Sequence, residues 1–119
     1  MTEIRIEVLP SFLKEFKRLK KKYRSIVDDV KDLRTELESN PLLGTDIGGG
    51  LRKIRMRIKS KGKGKSGGAR VITFNVLASV DETEINLLYI YDKSDMESIS
   101  ERELRQLLFD NGFDWKGTK

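Results

Sequence analysis

The chain has 119 residues, 36% of them charged and 37% hydrophobic, with a net charge of +5. That length suits one domain with a real core, and the regular spacing of its apolar residues excludes a disordered chain. With neither Cys nor His, it can form no disulfide, zinc ribbon, serine–histidine triad or histidine-pair ribonuclease.

In chain order, Ile4, Ile6 and Val8 alternate with Arg5 and Glu7, the period-two pattern of a half-buried strand. Pro10 and Ser11 open a helical stretch in which Phe12, Phe16, Leu19, Tyr23, Ile26, Val30, Leu33 and Leu37 recur at spacings of four and three. Ser25 followed by Asp28 offers a new N-cap, so the stretch reads as two helices broken near Tyr23–Arg24. Asn40-Pro41 ends the second, because proline disfavours helix at the residue before it. Residues 42–50 read as a glycine-rich connection. Leu51, Ile54, Met56 and Ile58 mark a second strand, with Lys53, Arg55 and Arg57 on its other face. Residues 60–68, SKGKGKSGG, contain no apolar side chain and read as a mobile loop. Arg70–Leu77 and Ile85–Tyr91 are apolar and β-branched around Asp81-Glu82, an antiparallel hairpin. Ser100 and Glu103 form a capping box before a helix carrying Leu104, Leu107 and Leu108. A polar tail, 110–119, holds Phe113 and Trp115.

The expected fold is α+β. It comprises an N-terminal strand, a helical hairpin, a three-stranded antiparallel meander and a C-terminal helix, all in one domain over 1–119. The helical hairpin should cover one face of an antiparallel sheet. No apolar run reaches the roughly 18 residues that span a bilayer, and MTEIRIEVLP has no basic segment leading into an apolar one. The expectation is a cytoplasmic protein without a membrane partner.

The charge is unevenly placed. From Ile47 to Val80 there is no acid, yet Arg52, Lys53, Arg55, Arg57, Lys59, Lys61, Lys63, Lys65 and Arg70 fall within it. The remaining 15 basic and 19 acidic residues leave a net charge of −4. A second basic cluster runs from Lys14 to Arg24. A basic stripe of this kind, partly on strands, points to a polyanion such as nucleic acid.

Other motifs fail on context. Gly64-Lys65-Ser66 resembles the end of a phosphate-binding loop, but position 59 is Lys and a strand follows rather than a helix. Gly48-Gly49-Gly50 precedes a strand, which fits a flexible connection and not a dinucleotide site. Asp28, Asp29, Asp32 and Glu36 interleave with Lys31 and Arg34, as on a solvated helix face. No metal and no cofactor are expected. Tyr91-Asp92-Lys93-Ser94 fits either a plain strand end or a site at the sheet rim.

The run LRKIRMRIKSKGKGKSGGARVI, followed by LLYIYDKSDMESIS and a helix with EL and LL pairs, resembles the RelE/ParE toxin superfamily. It is most similar to the HigB-type branch of bacterial type II toxin–antitoxin modules, from about Ile4 to Leu108. The resemblance implies a ribosome-dependent messenger-RNA endonuclease that inhibits translation and is neutralised by an antitoxin, here expected to be of helix-turn-helix type. The family's two basic positions on the second strand fall on Lys53 and Arg55, its arginine at the start of the third strand on Arg70, and its following basic position on Lys93. These are the implied catalytic residues. Arg52, Arg57, Lys59, Lys61, Lys63, Lys65 and Tyr91 are the implied RNA-binding residues. Ser94 stands where the best-studied RelE-type members carry arginine, and Ser100 near their tyrosine. Two other readings share the fold: a ParE-like toxin acting on DNA gyrase, and a non-catalytic RNA-binding relic.

Overall fold

In the computed structural model, which describes residues 3–114, β1 is Glu3–Val8; Trp115 lies outside the described residues. α1 (Pro10–Lys22) begins with proline in its first turn, where the missing N–H costs no helical bond. It ends at an extended Tyr23, where the break was expected. α2 (Ile26–Ser39) follows and stops at Asn40. Ser25 does precede α2, but its hydroxyl caps no helical N–H and bonds to Asp29 and Ser60 instead. The apolar stripe of both helices, Phe12, Leu19, Ile26, Val30, Leu33 and Leu37, is buried against one sheet face.

The remaining elements are β2 (Thr45–Gly48), β3 (Leu51–Met56), β4 (Ala69–Ser79), β5 (Glu82–Asp92) and α3 (Glu101–Asp110). The strand order is β1-β5-β4-β3-β2. Every neighbouring pair is antiparallel except β1 with β5, which is parallel. The expected α+β class and element order hold, but the sheet is mixed rather than antiparallel. The helical hairpin carries the chain from β1 to the opposite sheet edge, where β2 runs antiparallel to β1, and the alternation β2–β3–β4–β5 brings β5 back beside β1 in the same sense. Arg5 reaches Glu82 and Glu84 across that pair.

Two local expectations are corrected. Residues 42–50 contain β2, which periodicity could not show because Ile47 is its one apolar side chain. Gly48, Gly49 and Gly50 all take positive φ and turn β2 tightly into β3, while Asp46 accepts the Gly48 N–H at 2.8 Å. Second, Leu51 does not share a face with Ile54 and Met56. Strand alternation puts Leu51, Lys53 and Arg55 on one side and Ile54 and Met56 on the other, and the two sets join different cores. The strand ends at Met56, so Ile58 is buried beyond it.

That second core, with Leu51, Ile72, Phe74, Leu88 and Tyr91, is covered by Leu104 and Leu108 of α3. Both hydrogen bonds of the Ser100–Glu103 capping box are present, and Phe113 lies edge-on to Phe74 at 5.1 Å. A register shift after Ile72 leaves Leu88 unpaired, so the alternation of β5 changes phase there: Leu87 and Ile90, three apart, serve one core, and Leu88 and Tyr91 serve the other. No helix among the described residues is long and apolar enough to cross a membrane.

The two ends of the β4–β5 hairpin should differ sharply in tolerance. Ile90→Ala empties a fully buried site and should cost about 3 kcal/mol in urea denaturation. Leu77→Ala, at a 72% exposed position, should stay within about 0.5 kcal/mol.

Candidate functional site

The sheet register assembles the site. Arg55 on β3 stands opposite Arg70 on β4, and Arg70 opposite Tyr91 on β5. One step along, Lys53 pairs with Ile72 and Ile72 with Tyr89. Alternation therefore puts Lys53, Arg55, Arg70 and Tyr91 on one face, the α3 side. Lys93 follows two residues after Tyr91, and its N–H donates to the Gly68 carbonyl at 3.0 Å. β2 pairs with β3 only as far as Lys53, so Arg55 sits on an open edge and is exposed.

Arg70 is 7% exposed. Its guanidinium donates to the carbonyls of Lys65 (3.2 Å), Ser66 (3.1 Å) and Ala69 (3.3 Å). Two cations directly opposite each other on neighbouring strands repel, and carbonyl oxygens supply the compensation for one of them. Arg70 thus grips the basic loop from below. Lys93 donates to the Glu97 carboxylate and carbonyl, each at 2.9 Å, and that ammonium holds the Glu97 carboxyl below its usual range.

Tyr91 needs correction as an RNA contact. Its ring is 1% exposed within the α3-side core, so no base can stack on it, and its hydroxyl has no hydrogen-bond partner among the described residues. Burial pushes that phenol up. Tyr89 lies 6.3 Å from it, half-buried between α1 and α3.

The other predicted contacts fall into two groups. Arg52 donates to the carbonyls of Leu43 (3.2 Å) and Gly44 (2.9 Å), which fastens the turn before β2. Lys59 pairs with Asp32 at 3.0 Å. Lys61 is tied down more completely, to both Asp92 and Ser94. By contrast Arg57, Lys63 and Lys65 are exposed. A cleft of about 120 Å³ is lined by Arg55, Arg57 and Lys65 on one side and by Asp29, Asp32 and Glu36 of α2 on the other, with Lys59 joining the two.

The loop expected to be mobile is anchored. It starts with a single 3-10 turn, Lys59–Lys61, closed by Gly62 in the left-handed region. Asp29 is buried and accepts the Lys59 N–H at 3.2 Å, so it is no part of a solvated face. Ser25 and Ser60 exchange backbone and hydroxyl bonds at 2.8–3.3 Å. At the other end Gly68 runs so close to β3 that an added Cβ would meet the Met56 carbonyl oxygen at 2.2 Å.

The strongest anchor is Asp92, which in sequence reads as a turn residue. Its carboxylate is fully buried and pairs with Lys61 Nζ at 2.6 Å. It also accepts from the Tyr23 hydroxyl, the Ser94 N–H at 2.9 Å and Lys22 Nζ at 3.4 Å. Lys61 also donates to Ser94 Oγ at 2.7 Å. Burial alone would push the Asp92 carboxyl up, but the bonds from Lys61, Tyr23 and Ser94, with the Lys61 charge, hold it well below the usual carboxylate range. Burial and the same carboxylate push the Tyr23 phenol up.

Helical spacing could have exposed Asp29, since 26, 29, 30, 33 and 37 share one face of α2. The burial of Asp92 had no local mark, because Tyr23 and Lys61, which satisfy it together with the nearby Ser94 N–H, lie 69 and 31 positions away.

The model of the RelE toxin of the RelE/RelB toxin–antitoxin system matches residues 12–110, from α1 to the end of α3.

The lowered Asp92 carboxyl makes a pH prediction. Its contribution to stability is complete above the unfolded value of about 4 and is lost as pH falls through the lower folded value. Wild-type stability in urea should therefore vary little through this group between about pH 7 and 5 and decline below about pH 4. Asp92→Asn should lower stability at neutral pH by about 3 kcal/mol and flatten the acid decline. A decline as steep as wild type would assign it to other carboxylates.

Proposed function

The chain belongs to the RelE toxin family, whose members are typically ribosome-dependent endoribonucleases, and we propose that it cleaves messenger RNA on the ribosome and so arrests translation. The observation that carries this reading is the placement of Arg55 opposite Arg70 with Lys53 on the same sheet face. That face lies beside a loop with exposed Lys63 and Lys65. The sequence runs KGKGKSGGAR and IYDKSDMESIS favour the HigB-type branch. As in other such modules, the partner is an antitoxin, of RelB or helix-turn-helix type, and the setting is the cytoplasm.

Cleavage by the neighbouring 2′-hydroxyl requires a base at that oxygen, stabilisation of the charged phosphorane, and protonation of the departing 5′-oxygen. Lys53 and Arg55 are the side chains suited to grip the scissile phosphate, because Arg55 is exposed on an open strand edge and neither shares an ion pair with a carboxylate among the described residues. Arg70 sits behind them with its fork on the loop carbonyls. Its charge adds to the field, and its geometry fixes Lys65. Lys93 extends the basic rim. Arg57, Lys63 and Lys65 supply sequence-independent contacts to ribosomal or messenger phosphates. Arg52 and Lys61 act inside the protein, and Lys59 is held in a surface pair with Asp32. The ribosome contributes by holding the 2′-oxygen in line, a positioning effect worth several kcal/mol in comparable intramolecular reactions.

The burial of Tyr91 and the engagement of Arg70 favour one alternative, an RNA-binding toxin fold without cleavage. A gyrase-directed ParE-like activity would give supercoiling defects with no cuts.

Single-turnover cleavage on programmed ribosomes tests the assignment. Arg55→Ala should slow cleavage about 10²-fold with little change in ribosome association. Lys63→Ala with Lys65→Ala should weaken association and make it less sensitive to salt, the logarithmic slope falling by about 0.7 for each single-strand phosphate left unneutralised. Wild-type cleavage by Arg55→Ala would misplace the site, and no translation-dependent cuts by the wild-type chain would leave the binding reading.

A further inference from the structure

Ser94, which stands where the best-studied RelE-type members carry arginine, is not idle. It contributes Oγ to Lys61 and its N–H to Asp92. Asp92 in turn stands opposite Ala69 in the register, which stands opposite Met56. That row is the end of the sheet from which the basic loop departs and to which it returns. Three segments distant in the chain meet there: the end of α1 through Tyr23 and Lys22, the loop through Lys61, and the end of β5.

We propose that Asp92 is a positioning residue, which acts through Lys61 and Ser94 to hold the 59–68 loop where Lys63 and Lys65 flank Arg55 and Arg70. This deepens the ribonuclease reading and rests on it. Asp92 cannot itself touch RNA. It is fully buried, it lies on the α1 side of the sheet, and its oxygens are occupied by Tyr23, Lys22, Lys61 and Ser94. Lys61 is likewise withdrawn, with its side chain 11% exposed. The arrangement takes one lysine out of the basic stripe to fix the rest. The other anchors grip the loop at its two ends, at Lys59–Ser60 and at Lys65–Gly68. Lys61 grips it between them, ahead of Gly62 and Gly64, which both take left-handed conformations with open space around them. Without that grip, the tip carrying Lys63 has no side-chain tether.

A tether and a mere stabiliser differ in what their loss does to folded molecules. Asp92→Asn preserves shape and can keep the bonds to Tyr23 and Ser94, but it leaves Lys61 without its counter-charge. Its ammonium should then move into solvent and release the loop. With purified full-length protein on programmed ribosomes, the single-turnover rate at saturation should fall about 10²-fold, the scale set by ångström-level misplacement. The half-saturating ribosome concentration should change less than about twofold, because no loop cation is removed. Hydrogen exchange should accelerate at the Lys61, Gly62 and Gly68 amides, while those of β5 from Ile85 to Ile90 stay protected. The double variant Lys61→Gln, Asp92→Asn restores a neutral hydrogen-bonded pair and should recover most of the rate. If Asp92→Asn does not fold, Lys61→Met alone, which keeps the stem but removes the donor, should show the same loss of rate and the same exchange pattern, since Asp92 keeps its other partners. A folded variant with unchanged exchange at 61, 62 and 68 overturns the proposal, and so does wild-type cleavage at saturation. If the wild-type chain cleaves nothing, the ribonuclease reading falls, and the exchange measurement alone decides whether Asp92 holds the loop.

Discussion

Putting a carboxylate out of water costs several kcal/mol after relaxation, and Asp92 is fully out of water. The burial is tolerable because a cation, a phenol and a backbone amide all point at its two oxygens. Each donor comes from a separate part of the chain, so satisfying one charge dictates where α1 ends, where β5 ends and where the loop between β3 and β4 lies. Buried ion pairs stabilise little compared with apolar residues of the same shape. What this one supplies is placement. An apolar substitute could pack as well and leave the loop free to slide, because hydrophobic contact is non-directional.

The basic face presents the opposite problem. Arg55 and Arg70 stand opposite one another, and Lys53 lies two residues from Arg55 on the same strand. Placing carboxylates among them would relieve the repulsion and also remove the positive field. The protein divides the two tasks. Acids collect at the margins: Asp29 and Asp32 across the cleft on α2, Glu97 beyond Lys93, and Asp92 beneath the sheet. On the face itself, Arg70 is satisfied by carbonyl dipoles, which stabilise a guanidinium without cancelling its charge at a distance. The loop that provides those carbonyls also carries the exposed lysines, so one bend of chain both supports the arginine and extends the basic surface.

Elements with regular periodicity were legible in the sequence, and the misses have physical causes. The apolar stripe of both helices, the β4–β5 hairpin and the capped α3 follow from spacing and caps alone, and the helices break where Ser25 suggests although its hydroxyl caps no helical N–H. β2 was hidden because one apolar residue cannot display a period. Its pairing depends on three left-handed glycines, which read equally well as a flexible link. The parallel pairing of β1 is a property of the topology, and alternation within β1 is the same for either sense. In the candidate site, the residue types that gather at Lys53, Arg55 and Arg70 were legible from a two-residue spacing and a strand start. Which cations remain free was not. Arg52, Lys59 and Lys61 look the same in sequence as Lys63 and Lys65, and only the partners brought from positions 43, 32 and 92 separate them.

That separation bears on how a chain without histidine can act on RNA. Nine cations in an acid-free run suggest a diffuse electrostatic glove, in which each charge contributes a small, replaceable share of affinity. The folded protein is more differentiated. Two of the nine fasten backbone or buried carboxylate, Lys59 pairs with an exposed one, one supports the loop from below, and the others face outward. Catalysis by fixed charge depends on cations that do not have to reorganise as the transition state forms. Long lysine and arginine side chains on a glycine-rich loop would ordinarily be poor at this, because both loop and side chain must be ordered on binding. Committing part of the stripe to internal bonds settles the backbone in advance and leaves side-chain ordering to the encounter. The interior pairs of the loop therefore belong to its function as much as the lysines that reach solvent.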